Sequence, residues 1–250
     1  MKLQQKKVVI VGASSGIGAA LARALGTKGC ELALVARRED RLHEVADDVN
    51  QRAGRPMARI YACDVTRYDE AEPLLDRIAQ DLGGLDVLIY NSGVMPKVQF
   101  TEYSFEKDRA MIEVNLLGAM AWINPTAKRF ETARAGAIVG VSSIAGDRGR
   151  GSIPGYITSK AGLDAYLESI RNRVARYGVQ VTTIKPGYVQ TDLLGDAKTP
   201  LKAIAPKDAA AAIVEAVEES AMVRYVPGFW RWVGLAIKIA PPFVMQRVKF

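Results

Sequence analysis

Histidine occurs once in the 250 residues, as His43, and cysteine twice, as Cys30 and Cys63. With no CxxC pair and no cluster of histidines, the chain lacks zinc-type ligand spacing, so no metal site is expected. Two isolated cysteines in apolar, strand-like stretches exclude a disulfide framework and suit a reducing cytoplasm. His43 lies among charged neighbours in a helical pattern and reads as a solvated side chain. No run of 18 uncharged apolar residues occurs, so no full membrane span is expected. Nor is a signal peptide expected, because MKLQQKKVVIVGA runs straight into a strand pattern. Acidic residues are missing from one region only. From Ser220 to Phe250 there is no Asp or Glu, but there are Arg224, Arg231, Lys238, Arg247 and Lys249. The remainder holds all 27 acidic residues and the other 29 of the 34 basic ones, so the net charge of +7 is mainly a property of the tail. That distribution is not a nucleic-acid footprint.

What is present is an ordinary globular composition, 49% hydrophobic and 24% charged, sufficient for one large α/β core. Residues 7–11 (KVVIV) read as a buried strand. Gly12-Ala13-Ser14-Ser15-Gly16-Ile17-Gly18 follows, then a helical pattern over 19–28. Strand, glycine turn and helix together form the context of a phosphate-binding loop. The glycines admit close backbone approach, and the helix N-terminus offers free N–H groups and a positive dipole end. Residues 31–36 (ELALVA) are the second strand, about 20 residues on, where a dinucleotide's adenosine ribose is read. An acid there would repel a 2′-phosphate. Ala36 and then Arg37 and Arg38 stand there instead, and guanidinium suits phosphate, so the cofactor reads as NADP(H). Arg37 and Arg38 also suit a solvated charge cluster opening the helix over 40–53.

A third strand over 59–63 ends in Asp64-Val65, where Asp64 either contacts adenine or caps the next helix, over 67–82. The fourth strand, 85–90, ends in Asn91-Ser92-Gly93, a small-residue turn for cofactor approach; Asn91 could equally tie neighbouring strands. A long helical stretch, 105–134, carries Asn115 among apolar neighbours, where a buried amide needs partners. Pro125 is expected to bend or restart it. The fifth strand, 136–141, ends in Ser142-Ser143. A glycine-rich loop, 144–155, leads into Tyr156-Ile157-Thr158-Ser159-Lys160. On a helix Tyr156 and Lys160 share one face, one turn apart, so an ammonium can sit beside a phenol and favour its ionised form. The sixth strand, 180–184, runs into Pro186-Gly187-Tyr188-Val189-Gln190-Thr191. Residues 193–205 lack periodicity and read as a mobile segment. A helix over 206–220 and a short seventh strand, 223–227, follow. The candidate residues fall at or just beyond strand carboxyl ends, the ligand edge of an open parallel sheet.

The glycine loop, Asn91-Ser92-Gly93, Asn115, Ser143, Tyr156-x-x-x-Lys160 and Pro186-Gly187, in this order and spacing, resemble the short-chain dehydrogenase/reductase family over about residues 5–227. The resemblance implies a Rossmann fold, a doubly wound seven-stranded parallel sheet flanked by helices. It implies Tyr156 as general acid, Lys160 on the nicotinamide ribose lowering the tyrosine pKa, and Ser143 orienting the substrate oxygen. Asn115 would hold a proton-relaying water. NADP(H) contacts are expected from Gly12, Ser14, Ser15, Gly16, Ile17, Gly18, Arg37, Arg38, Asp64, Val65, Asn91, Ser92, Gly93, Tyr156, Lys160, Pro186, Gly187, Val189 and Thr191. A homodimer or homotetramer is implied, built through the helices around Asn115 and Tyr156. Val11, Tyr90 and Ser92 depart from the family's commoner residues at positions that serve strand packing.

The ending departs further. Residues 1–228 read as the Rossmann domain and 229–250 as a basic aromatic extension holding two of the three tryptophans. On a helix, Arg231, Gly234 and Lys238 form a narrow basic stripe, the rest is apolar, and Pro241-Pro242 ends it. This fits an interfacial membrane segment on the inner membrane surface, or a lid or subunit-interface helix. Either favours a lipophilic ketone or alcohol, among them 3-oxoacyl-thioester and 3-ketosphinganine-type lipids. Pocket walls are expected from 94–100, 144–154 and 188–201. A non-catalytic NADP(H)-binding regulator is the reading of another class, and the intact Ser143, Tyr156, Lys160 and Asn115 set weighs against it.

Overall fold

The apolar run Lys7–Val11 forms β1 and divides its side chains between two cores. Val8 and Ile10 point to one face of the sheet, Val9 and Val11 to the other, as the two-residue period of a strand requires. All four are fully buried. Each such side chain contributes roughly 1.5–3 kcal/mol. A computed structural model describes residues 1–195, 199 and 201–247. In chain order its principal elements are β1, α1 (Gly16–Thr27), β2 (Glu31–Ala36), α2 (Glu39–Ala53), β3 (Ala58–Ala62), α3 (Ala71–Asp81), β4 (Val87–Tyr90), α4 (Phe105–Ile112), α5 (Gly118–Ala133), β5 (Ala137–Val141), α6 (Pro154–Val174), β6 (Gln180–Pro186), α7 (Pro206–Glu218), β7 (Val223–Val226), α8 (Trp230–Ile239) and α9 (Pro242–Met245).

The seven strands form one sheet in the order β3-β2-β1-β4-β5-β6-β7, every pair parallel. Val9 pairs with Ala33 on one side and Leu88 on the other. Leu21, Leu25, Leu42, Val45 and Ile213, from α1, α2 and α7, cover the first face. Leu75, Ile78, Trp122, Phe130, Leu163 and Leu167, from α3, α5 and α6, cover the second. This is the doubly wound Rossmann arrangement. Strand order reverses between β1 and β4, opening a crevice at the carboxyl edge.

Two features differ from the sequence expectation. The stretch 105–134 is interrupted at a wide π-type turn, Glu113–Leu117, that contains Asn115, and not at Pro125. α5 continues through Pro125, with Trp122, Ile123, Thr126, Ala127 and Phe130 buried on its inner face. Burial of that face outweighs the roughly 3 kcal/mol an internal proline costs. The glycine-rich loop also contains a 3-10 turn, Ile144–Asp147, and α6 begins at Pro154, where a missing N–H is harmless. Within the unperiodic segment 193–205, Ile204 makes a parallel bridge with Val189; residues 196–198 and 200 lie outside the described residues. No helix among the described residues is long and apolar enough to cross a membrane.

Candidate active site

A cavity of about 930 Å³ runs along the carboxyl edge, from Arg37 and Arg38 at one end to Tyr156 and Trp230 at the other. Its floor is the glycine turn. Gly12 has φ +90°, and a Cβ there would lie 2.6 Å from the Ser92 backbone nitrogen, so only glycine fits. Asn91 donates from Nδ2 to the Gly12 carbonyl at 3.0 Å and so ties the β4 end to this loop. Ser15 is the N-cap of α1 but makes no side-chain cap bond, which leaves the first-turn N–H groups for an anion. These residues fit the pyrophosphate of a dinucleotide.

At the β2 end the two arginines take different partners. Arg38 Nη2 donates to Ser14 Oγ (3.1 Å) and Ser15 Oγ (2.8 Å), while its Nη1 lies 3.8 Å from Asp192. Arg37 Nη1 lies 3.6 Å from Asp64. Asp64 Oδ1 accepts from the Thr66 N–H and hydroxyl. Burial pulls the Asp64 carboxyl up, but the Thr66 bonds and the Arg37 charge outweigh it and hold the pKa below the ordinary value.

At the other end, β5 and the first turns of α6 bring Ser143, Tyr156 and Lys160 to the same wall. Lys160 is 3% exposed, its Nζ donates to the Val141 carbonyl at 3.0 Å and stands 5.8 Å from the centre of the Tyr156 ring. Burial lowers its pKa to about 8, against the pull of Asp164 one turn further along α6. Burial also raises the Tyr156 phenol, and the Ser143 hydroxyl and the Arg150 charge pull it back. Lys160, expected to lower it, is turned toward a backbone carbonyl.

Most of the expected residues line this cavity: Gly12, Ser14, Ser15, Gly16, Ile17, Arg37, Arg38, Val65, Asn91, Ser92, Gly93, Ser143, Tyr156, Lys160, Pro186, Gly187, Val189 and Thr191. Gly18, Asp64 and Asn115 do not. Gly18 is buried in the first turn of α1, and Asp64 stands behind Arg37. Asn115 is fully buried: Oδ1 accepts from Val94 N–H (2.7 Å), and Nδ2 donates to the Val94 carbonyl and Ser159 Oγ, each at 3.0 Å. It ties the loop after β4 to α6, next to Lys160.

Arg150 falls in the expected wall 144–154 and Trp230 in the extension 229–250, but neither carried an individual role. Arg150 reaches the cavity from the glycine-rich loop, six residues before Tyr156. Trp230, from α8, closes the far end so tightly over Gly187 that a Cβ there would lie 2.0 Å from its Nε1. It meets Tyr188 edge-on at 5.4 Å and stacks on Phe229. Below this end lies a buried charge cluster. Lys185 Nζ donates to Asp147 Oδ1 at 2.5 Å and is 2.7 Å from Asp164 Oδ2. Tyr225 donates to Asp147 at 2.9 Å, and Lys238 of α8 lies 3.2 Å from it. No cluster of three or more His, Cys, Asp or Glu suited to a metal occurs among the described residues.

The family model described as short chain dehydrogenase matches residues 6–202. The chain belongs to the short-chain dehydrogenase/reductase family. An uncharacterized oxidoreductase of Mycobacterium tuberculosis is 30% identical over 249 residues, covering 97% of each chain. Another, from Staphylococcus saprophyticus, is 33% identical over 224 residues, covering 89% of this chain and 95% of that one. Among solved structures, a short-chain type dehydrogenase/reductase from Mycobacterium marinum matches with a TM-score of 0.83 at 25% identity, covering 92% of this chain and 96% of that one. An alcohol dehydrogenase from the archaeon Thermococcus sibiricus, complexed with 5-hydroxy-NADP, matches with a TM-score of 0.78 at 28% identity, covering 88% and 94%. As a short-chain dehydrogenase/reductase, the protein is an oxidoreductase of the NAD(P)(H)-using type.

Proposed function

We propose that this short-chain dehydrogenase/reductase uses NADP(H) to reduce the ketone, or oxidise the alcohol, of a lipophilic substrate. The observation that carries the reading is the single cavity with Arg37 and Arg38 at one end and, at the other, Ser143 and Tyr156 among Met95, Ile153, Leu193, Leu194 and Trp230. Bound there, the cofactor supplies the hydride. The two arginines hold a 2′-phosphate, which the alanine at position 36 does not repel. Ser143 orients the substrate oxygen, and Tyr156 gives its phenolic proton to that oxygen as negative charge develops. Lys160, charged below its lowered pKa of about 8, holds the ribose hydroxyls. Asn115 fixes the loop that lies over them. The apolar walls exclude water and select a greasy substituent.

The test is a panel of ketones of graded chain length, assayed with NADPH and with NADH. The expected result is turnover that rises with chain length and a preference for NADPH of at least about tenfold, or about 1.4 kcal/mol. Arg37→Asp/Arg38→Asp should reverse the preference. Equal use of both cofactors by the native protein, or faster turnover of short polar ketones, would overturn the reading.

A further inference from the structure

α8 meets solvent with the wrong face. The side that packs inward carries Trp230 and Gly234, the latter buried against Tyr225 and Asp147, and at its margin the half-exposed Lys238 reaches back to the fully buried Asp147 side chain. Arg148 Nη1 donates to the Lys238 carbonyl and pins the same face. The apolar side looks outward. Trp232 is 68% exposed and Ile239 74%, with Leu235 exposed between them at helical spacing. Phe243 of α9 extends the stripe, also exposed. Large, exposed apolar side chains on contiguous helical turns mark a surface that meets a partner.

The charges around the stripe choose the partner. Arg231 is exposed and lies over the Trp232 ring at 5.8 Å, and Arg247 is exposed beyond α9. No acidic residue follows Glu219, and Arg224 is already paired with Glu215 and Glu219. A two-fold contact between copies would set the same basic patch against itself with no carboxylate from this segment to relieve it. An anionic bilayer supplies both an apolar interior for the stripe and negative headgroups for the arginines.

We propose that α8 and α9 dock this protein on the surface of an anionic lipid bilayer, with Trp232, Leu235, Ile239 and Phe243 entering the interface. Two residues before Trp232 and on the opposite side of α8, Trp230 lines the cavity, so docking sets the closing end of the cavity beside lipid. The inference does not rest on the proposed reaction, because binding is measured without substrate or cofactor.

The experiment is co-sedimentation of the full chain with vesicles of phosphatidylcholine containing phosphatidylglycerol, and with phosphatidylcholine alone. Light scattering and thermal melting are run on the same samples without lipid. The native protein should bind the anionic vesicles. Trp232→Ser/Leu235→Ser/Ile239→Ser should weaken binding by more than about tenfold, because interfacial binding scales with the apolar area buried. Arg231→Glu/Arg247→Glu should weaken it too and abolish the preference for anionic lipid. Mass and melting temperature should stay unchanged, because the altered side chains are exposed while Trp230 and Lys238 are kept. Absence of native binding, undiminished binding by the serine variant, or a fall in its oligomeric mass, which would make the stripe a contact between copies, would each overturn the proposal.

Discussion

Lys160 is the residue whose environment says most about the reaction. It is buried, its Nζ donates to the Val141 carbonyl, and burial lowers its pKa to about 8. A lysine with a lowered pKa is charged below that value and neutral above it. If the ammonium holds the cofactor ribose beside Tyr156, kcat/KM for ketone reduction should be level below about pH 8 and fall above it, measured from pH 6 to 10. A profile flat through that range would show that the ammonium is not required. At this scale much was legible. Ser143, Tyr156 and Lys160 are fixed by linear spacing on a strand end and one helix turn, which survives folding unchanged. Arg150 lay in an expected wall and Trp230 in the expected extension, but their relation to Tyr156 was not legible, because it depends on a loop path and on a helix about 70 residues downstream. The phenol's electrostatics also needed the fold, which brings the Ser143 hydroxyl and then the Arg150 charge to offset its burial.

The elements that matter beyond the sheet are β6, the turn Ile144–Asp147 and α8, joined by one buried lysine. Lys185 is 8% exposed and sits between Asp147 and Asp164, and Asp147 also takes Tyr225 and Lys238. Burial pushes the Lys185 pKa down, but the two carboxylates more than reverse it, so it stays charged. Lys185→Met would leave two buried carboxylates without their shared cation. Chemical denaturation should report a loss of about 3–5 kcal/mol, the cost of breaking a buried pair. A loss under about 1 kcal/mol would place the cluster in effective contact with water. This cluster was invisible beforehand, since nothing in a strand pattern says that its one lysine faces two acids from other elements. The break at Asn115 was half legible. A buried amide was expected to need partners, and it found the Val94 backbone and Ser159. The wide turn that carries it has no sequence rule as strong as the one that wrongly pointed to Pro125.

Seven strand runs could be read directly from the sequence, the central ones most clearly, because strands buried on both faces need no polar alternation. Their parallel, doubly wound arrangement came with the family resemblance, and their order in the sheet came only with the structure. The ligand edge followed from topology, since candidate residues cluster at strand carboxyl ends in any doubly wound sheet. The tail's composition was legible, but its orientation was not. A basic stripe and an apolar remainder are visible in the sequence, yet only the structure shows Lys238 of that stripe turned to Asp147, Trp230 buried, and Trp232, Leu235 and Ile239 facing out. The molecule thus joins a Rossmann cofactor crevice, a tyrosine among apolar walls and an outward apolar helix. The central claim is that Tyr156 protonates a lipophilic carbonyl while NADPH is bound. The direct measurement is NADPH oxidation with a long-chain ketone by the native protein and by Tyr156→Phe, with NADPH affinity measured by fluorescence for both. The account predicts at least about a hundredfold loss of kcat in the variant, the contribution of a positioned general acid, with NADPH affinity unchanged. Native-level turnover by the variant, or loss of its NADPH binding in place of its turnover, would contradict it.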